Sequence, residues 1–140
     1  MRRGFAATFL ATLALAEVAM AEDVWIRKDG SLWARLESGG SIRIDGSIVG
    51  EIEDGGTVRR AGSIVGKVEP DGTIRDHGSV IGEVEADGTL RRSGSIIGEI
   101  ETDGTIRRGG SIWGRAEPGP SDLTALRGIA AVLFFFSGEF

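Results

Sequence analysis

The chain has 140 residues, 23 of them Gly, three Pro, no Cys and no Tyr, and carries a net charge of −5. Gly at about one residue in six, against the usual ~7 %, excludes a helical bundle, because each Gly inside a helix costs about 0.8–1.0 kcal/mol relative to Ala. The 41 % apolar content excludes a disordered chain, and the absence of Cys excludes a disulfide scaffold and any thiolate metal site.

The chain opens with Arg2 and Arg3, an apolar run from Phe5 to Ala16, and the small-x-small motif Ala19-Met20-Ala21. This layout predicts a secretory signal peptide over residues 1–21 and an exported protein of the periplasm or cell envelope. The run falls short of the ~20 apolar residues a spanning helix needs, so no transmembrane helix is expected in the mature chain. Removing it takes away Arg2, Arg3 and Glu17, leaving 14 basic against 20 acidic side chains and a net charge of −6. An acidic chain with no basic stripe is not a nucleic-acid binder, since phosphate contacts need clustered Lys and Arg.

Residues 22–117 form a repeat of sixteen residues. Gly recurs at Gly30, Gly46, Gly62, Gly78, Gly94 and Gly110, each followed by Ser. Glu stands seven residues after each Gly, at Glu37, Glu53, Glu69, Glu85, Glu101 and Glu117. Arg keeps the same period at Arg27, Arg43, Arg59, Arg75, Arg91 and Arg107. These six-membered columns are the candidate structural positions of the repeat.

Each unit reads as a β-hairpin. In the unit at Gly62, Ser63–Glu69 and Thr73–Arg75 are rich in β-branched residues and flank Pro70-Asp71-Gly72. A three-residue loop ending in a left-handed Gly fits that linker. It sets Val68 opposite Ile74 on an apolar face and Lys67 opposite Arg75 on the other. In sister units the polar pair becomes Glu51/Arg59, Glu83/Arg91 and Glu99/Arg107, opposite charges across the ladder.

The link between units has two readings. Asp29-Gly30, Asp45-Gly46 and Gly109-Gly110 suit tight type I′ turns, Ala61-Gly62 and His77-Gly78 less so. Alternatively the strand runs on and bends at Gly. Half-units at Val24–Arg27 and Ser111–Arg115 could pair and close a ring, whereas an open solenoid needs caps. Trp25, Trp33 and Trp113 fall in the first and last units, as covers for an end or a seam, or as larger core residues. The expected fold is all-β: tandem hairpins in a closed pseudo-symmetric flower- or propeller-like ring, or a β-solenoid.

Residues 118–140 differ in kind. Pro118-Gly119-Pro120 breaks the period, Ser121-Asp122 can cap a short helix, and Ile129–Phe136 is apolar. This tail is expected to close the core, with contact between residues 129–140 and an envelope protein or membrane as the rival.

The tandem D-G-T-[IVL]-R-x-x-G-S-[IVL]-[IVW]-G units and the Ala-Ala-Val-Leu-Phe-Phe-Phe tail resemble the five-fold beta-flower proteins, small bacterial hairpin-repeat proteins. The resemblance spans roughly residues 23–140. It implies hairpin petals around a pseudo-symmetry axis with the tail packed inside, and it carries no activity or catalytic residues.

The residues themselves carry no catalytic constellation. His77 is the single His and sits in a variable turn position. The Ser column is turn chemistry, and no unit differs from its sisters as a nucleophile site would. The Glu column could ring a cation, but an Arg accompanies each Glu, which reads as a charge-paired rim. No cofactor or metal is expected. The functional expectation is an exported, non-enzymatic structural or interaction module of unknown partner. The alternative is a ligand-binding module holding a small molecule, glycan or cation on the axis or one repeat face.

Overall fold

The computed structural model describes residues 22–140. The signal peptide expected over residues 1–21 lies outside them.

Twelve strands alternate along the chain. They are β1 Val24–Lys28, β2 Ser31–Leu36, β3 Ser41–Ile44, β4 Ser47–Ile52, β5 Thr57–Arg60, β6 Ser63–Val68, β7 Thr73–Asp76, β8 Ser79–Val84, β9 Thr89–Arg92, β10 Ser95–Ile100, β11 Thr105–Arg108 and β12 Ser111–Glu117. A single helix, α1 Leu123–Phe136, follows. Every strand pairs antiparallel with its sequence neighbours, and β1 pairs with β12 through Trp25–Glu117, Ile26–Ala116 and Arg27–Arg115. The sheet is therefore a closed barrel, and closure removes every free edge. The two half-units meet at this seam, which decides for the ring over the solenoid.

The hairpin register is the one the loop dictates. Val68 faces Ile74 and Lys67 faces Arg75. Glu69 N–H donates to the Thr73 carbonyl (2.8 Å) and Gly72 N–H donates to Glu69 (2.9 Å), closing the three-residue loop. The Asp71, Asp87 and Asp103 carboxylates each accept the N–H of the Thr two residues on, at 2.9 Å, which holds their pKa values below the ordinary carboxylate value.

The link between units is a two-residue turn with both residues at positive φ. Asp29-Gly30 sits at 50° and 83°, and Ala61-Gly62 at 51° and 88°. This is the type I′ geometry, whose twist matches a hairpin. Ala61 and His77 adopt it without the local hydrogen bonding that makes Asp tolerant, so propensity was a poor guide there.

One feature of the strands is absent from simple alternation. Each even-numbered strand carries a bulge or register shift against the strand before it. Ile42 pairs with Gly50 and Arg43 with Ile48, which leaves Val49 unopposed. Val65, Ile81, Ile97, Trp33 and Trp113 hold the same position in the other units. The bulge carbonyl accepts the N–H of the next turn, as Val49 does from Ala61 at 3.0 Å. Because the bulge resets the pleat, the residue before it points outward. Leu32, Ile48, Ile64, Val80, Ile96 and Ile112 are consequently exposed, and only part of each unit's aliphatic set enters the core.

The inner wall presents Ile26, Ile42, Val58, Ile74, Leu90 and Ile106 in one layer, all buried. A closed sheet of eight strands fills with its own side chains, whereas sixteen leave a channel; twelve leave a lumen that something must occupy. Helix α1 occupies it. Asp122 caps the helix by accepting the Ala125 N–H at 2.8 Å, and Ile129, Ala130, Ala131, Val132 and Leu133 are fully buried.

Candidate functional site

Four features could carry function: the plug, the charged rim, the loop-end cleft and the outer wall.

The plug fits the wall through Gly. Past the helix axis its Phe rings spread beneath successive mid-strand glycines: Phe136 under Gly50, Phe135 under Gly66, Phe134 under Gly82 and Phe140 under Gly98. A Cβ at Gly66 would lie 2.2 Å from the Arg75 carbonyl oxygen and 2.5 Å from two ring carbons of Phe135. The last Phe is held by Trp113, centroids 5.2 Å apart and edge to face, and Trp113 meets Trp33 the same way at 5.5 Å. Cations just before the turns close over these rings: Arg60 on Phe136 at 4.8 Å, Arg92 on Phe134 at 5.5 Å, Arg108 on Phe140 at 5.8 Å. Arg60 donates to the Phe135 carbonyl and Arg108 to that of Glu139. The Glu139 carboxylate pairs with Lys28 and accepts the Trp113 Nε1–H at 3.0 Å. These two donors, Lys28 first, hold the Glu139 carboxyl below its ordinary pKa.

The candidate columns form the rim of the outer wall. Each Arg gives its Nε to the Glu six positions earlier: Arg43 to Glu37 (2.9 Å), Arg75 to Glu69 (2.7 Å), Arg91 to Glu85 (2.5 Å), Arg107 to Glu101 (2.6 Å), and Arg59 to Glu53. Arg27 completes the ring by crossing the seam to Glu117 at 3.2 Å. The guanidinium's other arm donates to the carbonyl of the turn Gly, as Arg43 Nη1 does to Gly46 at 3.1 Å and Arg75 to Gly78 at 3.1 Å. The expected pairs Glu51/Arg59, Glu83/Arg91 and Glu99/Arg107 do lie opposite in the ladder. Their Arg side chains nevertheless reach diagonally to the loop Glu, because from there the same fork also satisfies the turn carbonyl.

Among the described residues no group of three or more His, Cys, Asp or Glu is placed to hold a metal ion. His77 is exposed at a turn tip, where it meets the neighbouring Asp76. The Ser column flanks the turns and is exposed.

Two clefts remain. One, of about 440 Å³, lies at the loop end between Leu36, Ile52, Val68 and the helix residues Thr124 and Gly128. Its charged groups already have partners, Glu53 in Arg59 and Arg127 in the Pro70 carbonyl at 3.2 Å. The other, of about 290 Å³, is a groove on the outer wall beside the seam, bordered by Trp25, Leu32, Arg35, Arg43 and Asp45. No helix among the described residues is long and apolar enough to cross a membrane.

Sequence reasoning missed the outward aliphatic ring, the bulge beside it, and the match of Phe to Gly. A signal for the first two was present. A run such as Ile64-Val65-Gly66 cannot alternate, so a bulge must reset it.

A family model described as "Bactofilin: Polymer-forming cytoskeletal" matches residues 18–117. No curated protein and no solved structure matches the chain. The family match overturns the beta-flower resemblance: the shared Gly and Ser spacing marks turns of tandem hairpins, which is a geometric need and not a family signature. It also overturns the exported module, its periplasmic or envelope location, and the ligand-binding alternative, since the family is cytoskeletal. The export reading rested on charge, apolarity and small residues at the N-terminus, and the match starts at residue 18, inside the expected leader. With residues 18–117 matched, the chain belongs to the bactofilin family of polymer-forming cytoskeletal proteins.

Proposed function

We propose that this chain is a non-catalytic building block that assembles with copies of itself into a cytoskeletal polymer. The family match over residues 18–117 carries the reading. The shape of the molecule supports it. Units 22–117 make the wall and residues 118–140 close it from within, so the axis that could have held a substrate is filled by Ile129, Leu133 and the Phe rings. The burial of Ile129, Leu133 and Phe140 supports a closing role for the segment 129–140. The Arg and Glu columns repeat in every unit as charge pairs on the rim, whereas catalysis needs an asymmetric cluster of perturbed groups. The closed barrel offers no strand edge, so copies must join through side-chain surfaces.

The test is negative-stain electron microscopy of the purified full-length chain. Filaments or sheets with a repeat near one barrel width are expected, and isolated particles at all concentrations would overturn the reading.

A further inference from the structure

The loop end of the barrel is covered unevenly. Leu36, Ile52, Val68, Val84, Ile100 and Ala116 hold equivalent inward places near that end; all are buried except Ile52, which is half-buried. The loop glycines repeat the asymmetry: Gly72, Gly88 and Gly104 are buried, Gly40 and Gly56 only partly. On the covered side, Gly119 of the link to α1 lies against Thr102–Gly104. On the uncovered side lies the cleft of about 440 Å³. The two loops that border it also depart from the repeat. In the other three hairpin loops Asp71, Asp87 and Asp103 hold the second place and cap the N–H of the following Thr. At the cleft that place holds Gly39 and Gly55. A Cβ at Gly39 would meet nothing within 4 Å and its φ is not left-handed, so the barrel itself does not require Gly there. Bare backbone without the carboxylate caps leaves a floor that another stretch of chain can approach closely.

The chain before Glu22 departs from the barrel at this same place. Val24 starts β1 opposite Leu36, and the Asp23 carboxylate accepts the Ser38 N–H at 2.9 Å and pairs with Arg35 at 2.7 Å. Ser38 and Leu36 both line the cleft. The N-terminal segment is thus tethered at the cleft mouth. It contains the apolar run Phe5–Ala16, with no charge between Arg3 and Glu17. The seven steps from Ala16 to Asp23 reach up to about 25 Å, enough to turn back over the two Gly-Gly loops. A run of that composition needs cover from water. The charged groups of the cleft already have partners, Glu53 in Arg59 and Arg127 in the Pro70 carbonyl, so its open surface suits an apolar occupant.

We infer that residues 5–16 seat in the loop-end cleft of their own chain, with aliphatic side chains such as Leu10 and Leu13 against Leu36, Ile52 and Val68. The occupant is this segment because it is apolar, is joined to the cleft edge through Asp23, and meets the cleft at the effective concentration of a short linker, of order mM. The contact covers Ile52 and closes the loop end as α1 closes the lumen. It also withholds the apolar run from any other surface until the cleft releases it. It does not depend on whether copies of the barrel polymerise.

The test uses the full-length chain, which has no Cys, so thiols can be introduced in chosen pairs. Leu10→Cys with Gly39→Cys puts the second thiol at the cleft edge; Leu10→Cys with Ala86→Cys puts it on the β8–β9 loop, three units away. Gly39 and Ala86 are exposed, and far-UV circular dichroism melts matching the wild type confirm that both variants fold. Oxidised at high dilution, the first pair should cross-link within the chain about tenfold more than the second, and adding Leu13→Asp should remove the difference. Equal yields, or links that join two chains, would overturn the contact. Hydrogen exchange gives a reading without thiols. Amides of Gly39–Ser41 and Gly55–Thr57 should exchange about tenfold faster in full-length Leu10→Asp with Leu13→Asp than in the wild type, and equal exchange would overturn the contact. So would a chain isolated from cells that begins at Glu22. Binding of the first pair to phosphatidylglycerol vesicles with no cross-link formed either in solution or on the vesicle would assign the segment to a membrane instead. Failure of the wild type to form filaments would overturn the polymer reading and leave this contact standing.

Discussion

At the scale of the residue, the mid-strand glycines are held by contact. Gly66 has an ordinary φ, yet a methyl there would meet both a backbone carbonyl and the Phe135 ring. Gly66→Ala should therefore cost about 2–3 kcal/mol, the upper range for overpacking a filled site. Urea denaturation would read this as a lower midpoint at an unchanged slope. A cost below about 0.5 kcal/mol would mean that the ring does not sit beneath the strand. Glu139 acts at the same scale. Lys28 and the Trp113 indole stabilise its charged form, so its folded-state pKa lies below the ordinary one. The resulting stability is complete above the ordinary carboxylate range and is lost as pH falls through the lowered folded value. Glu139→Gln should melt below the wild type at neutral pH, and the gap should narrow as the solution is acidified through that window. A gap that is constant with pH would exclude the latch.

At the scale of the element, hairpin and helix differ in how openly the sequence declares them. The sixteen-residue period and the Pro70-Asp71-Gly72 loop give the strands, their register and their apolar face, because a loop of fixed length permits one pairing. The turn at Ala61-Gly62 was harder to read, since its geometry is imposed by the strands on either side and not by its own residues. The Arg partners were misjudged for a related reason: ladder opposition fixes Cα positions, but a long side chain chooses the acceptor that also lets it satisfy the turn carbonyl. The outward ring hid behind the bulge, which turns a residue that counts as core by composition into a surface residue. Helix α1 could be suspected from its cap and apolar run, but its place in the lumen depends on the strand number at closure. Leu133 is fully buried there, whereas Leu123 at the helix start is exposed. Leu133→Ala should cost about 2–5 kcal/mol and Leu123→Ala close to nothing, by thermal or urea melts. Equal losses would place the helix outside the barrel.

At the scale of the whole molecule, closure and filling turn a repeat into a unit with defined sides. An open stack of hairpins would extend by adding strands at its ends. This barrel has spent its strand edges on the β1–β12 seam and its lumen on its own C-terminus, so no further strand can be added to the sheet. The seam also brings Arg27 opposite Arg115, and both guanidinium groups pair there with Glu117. The family could not be read from the unit pattern, because that pattern is set by turn geometry, a need any tandem hairpin shares.

The central claim, that copies of this barrel join one another without limit, is tested most directly by sedimentation velocity of the full-length wild-type chain across a dilution series. The account predicts a weight-average sedimentation coefficient that keeps rising with concentration and reaches no plateau. A single boundary at the monomer or dimer value, independent of concentration, would contradict it.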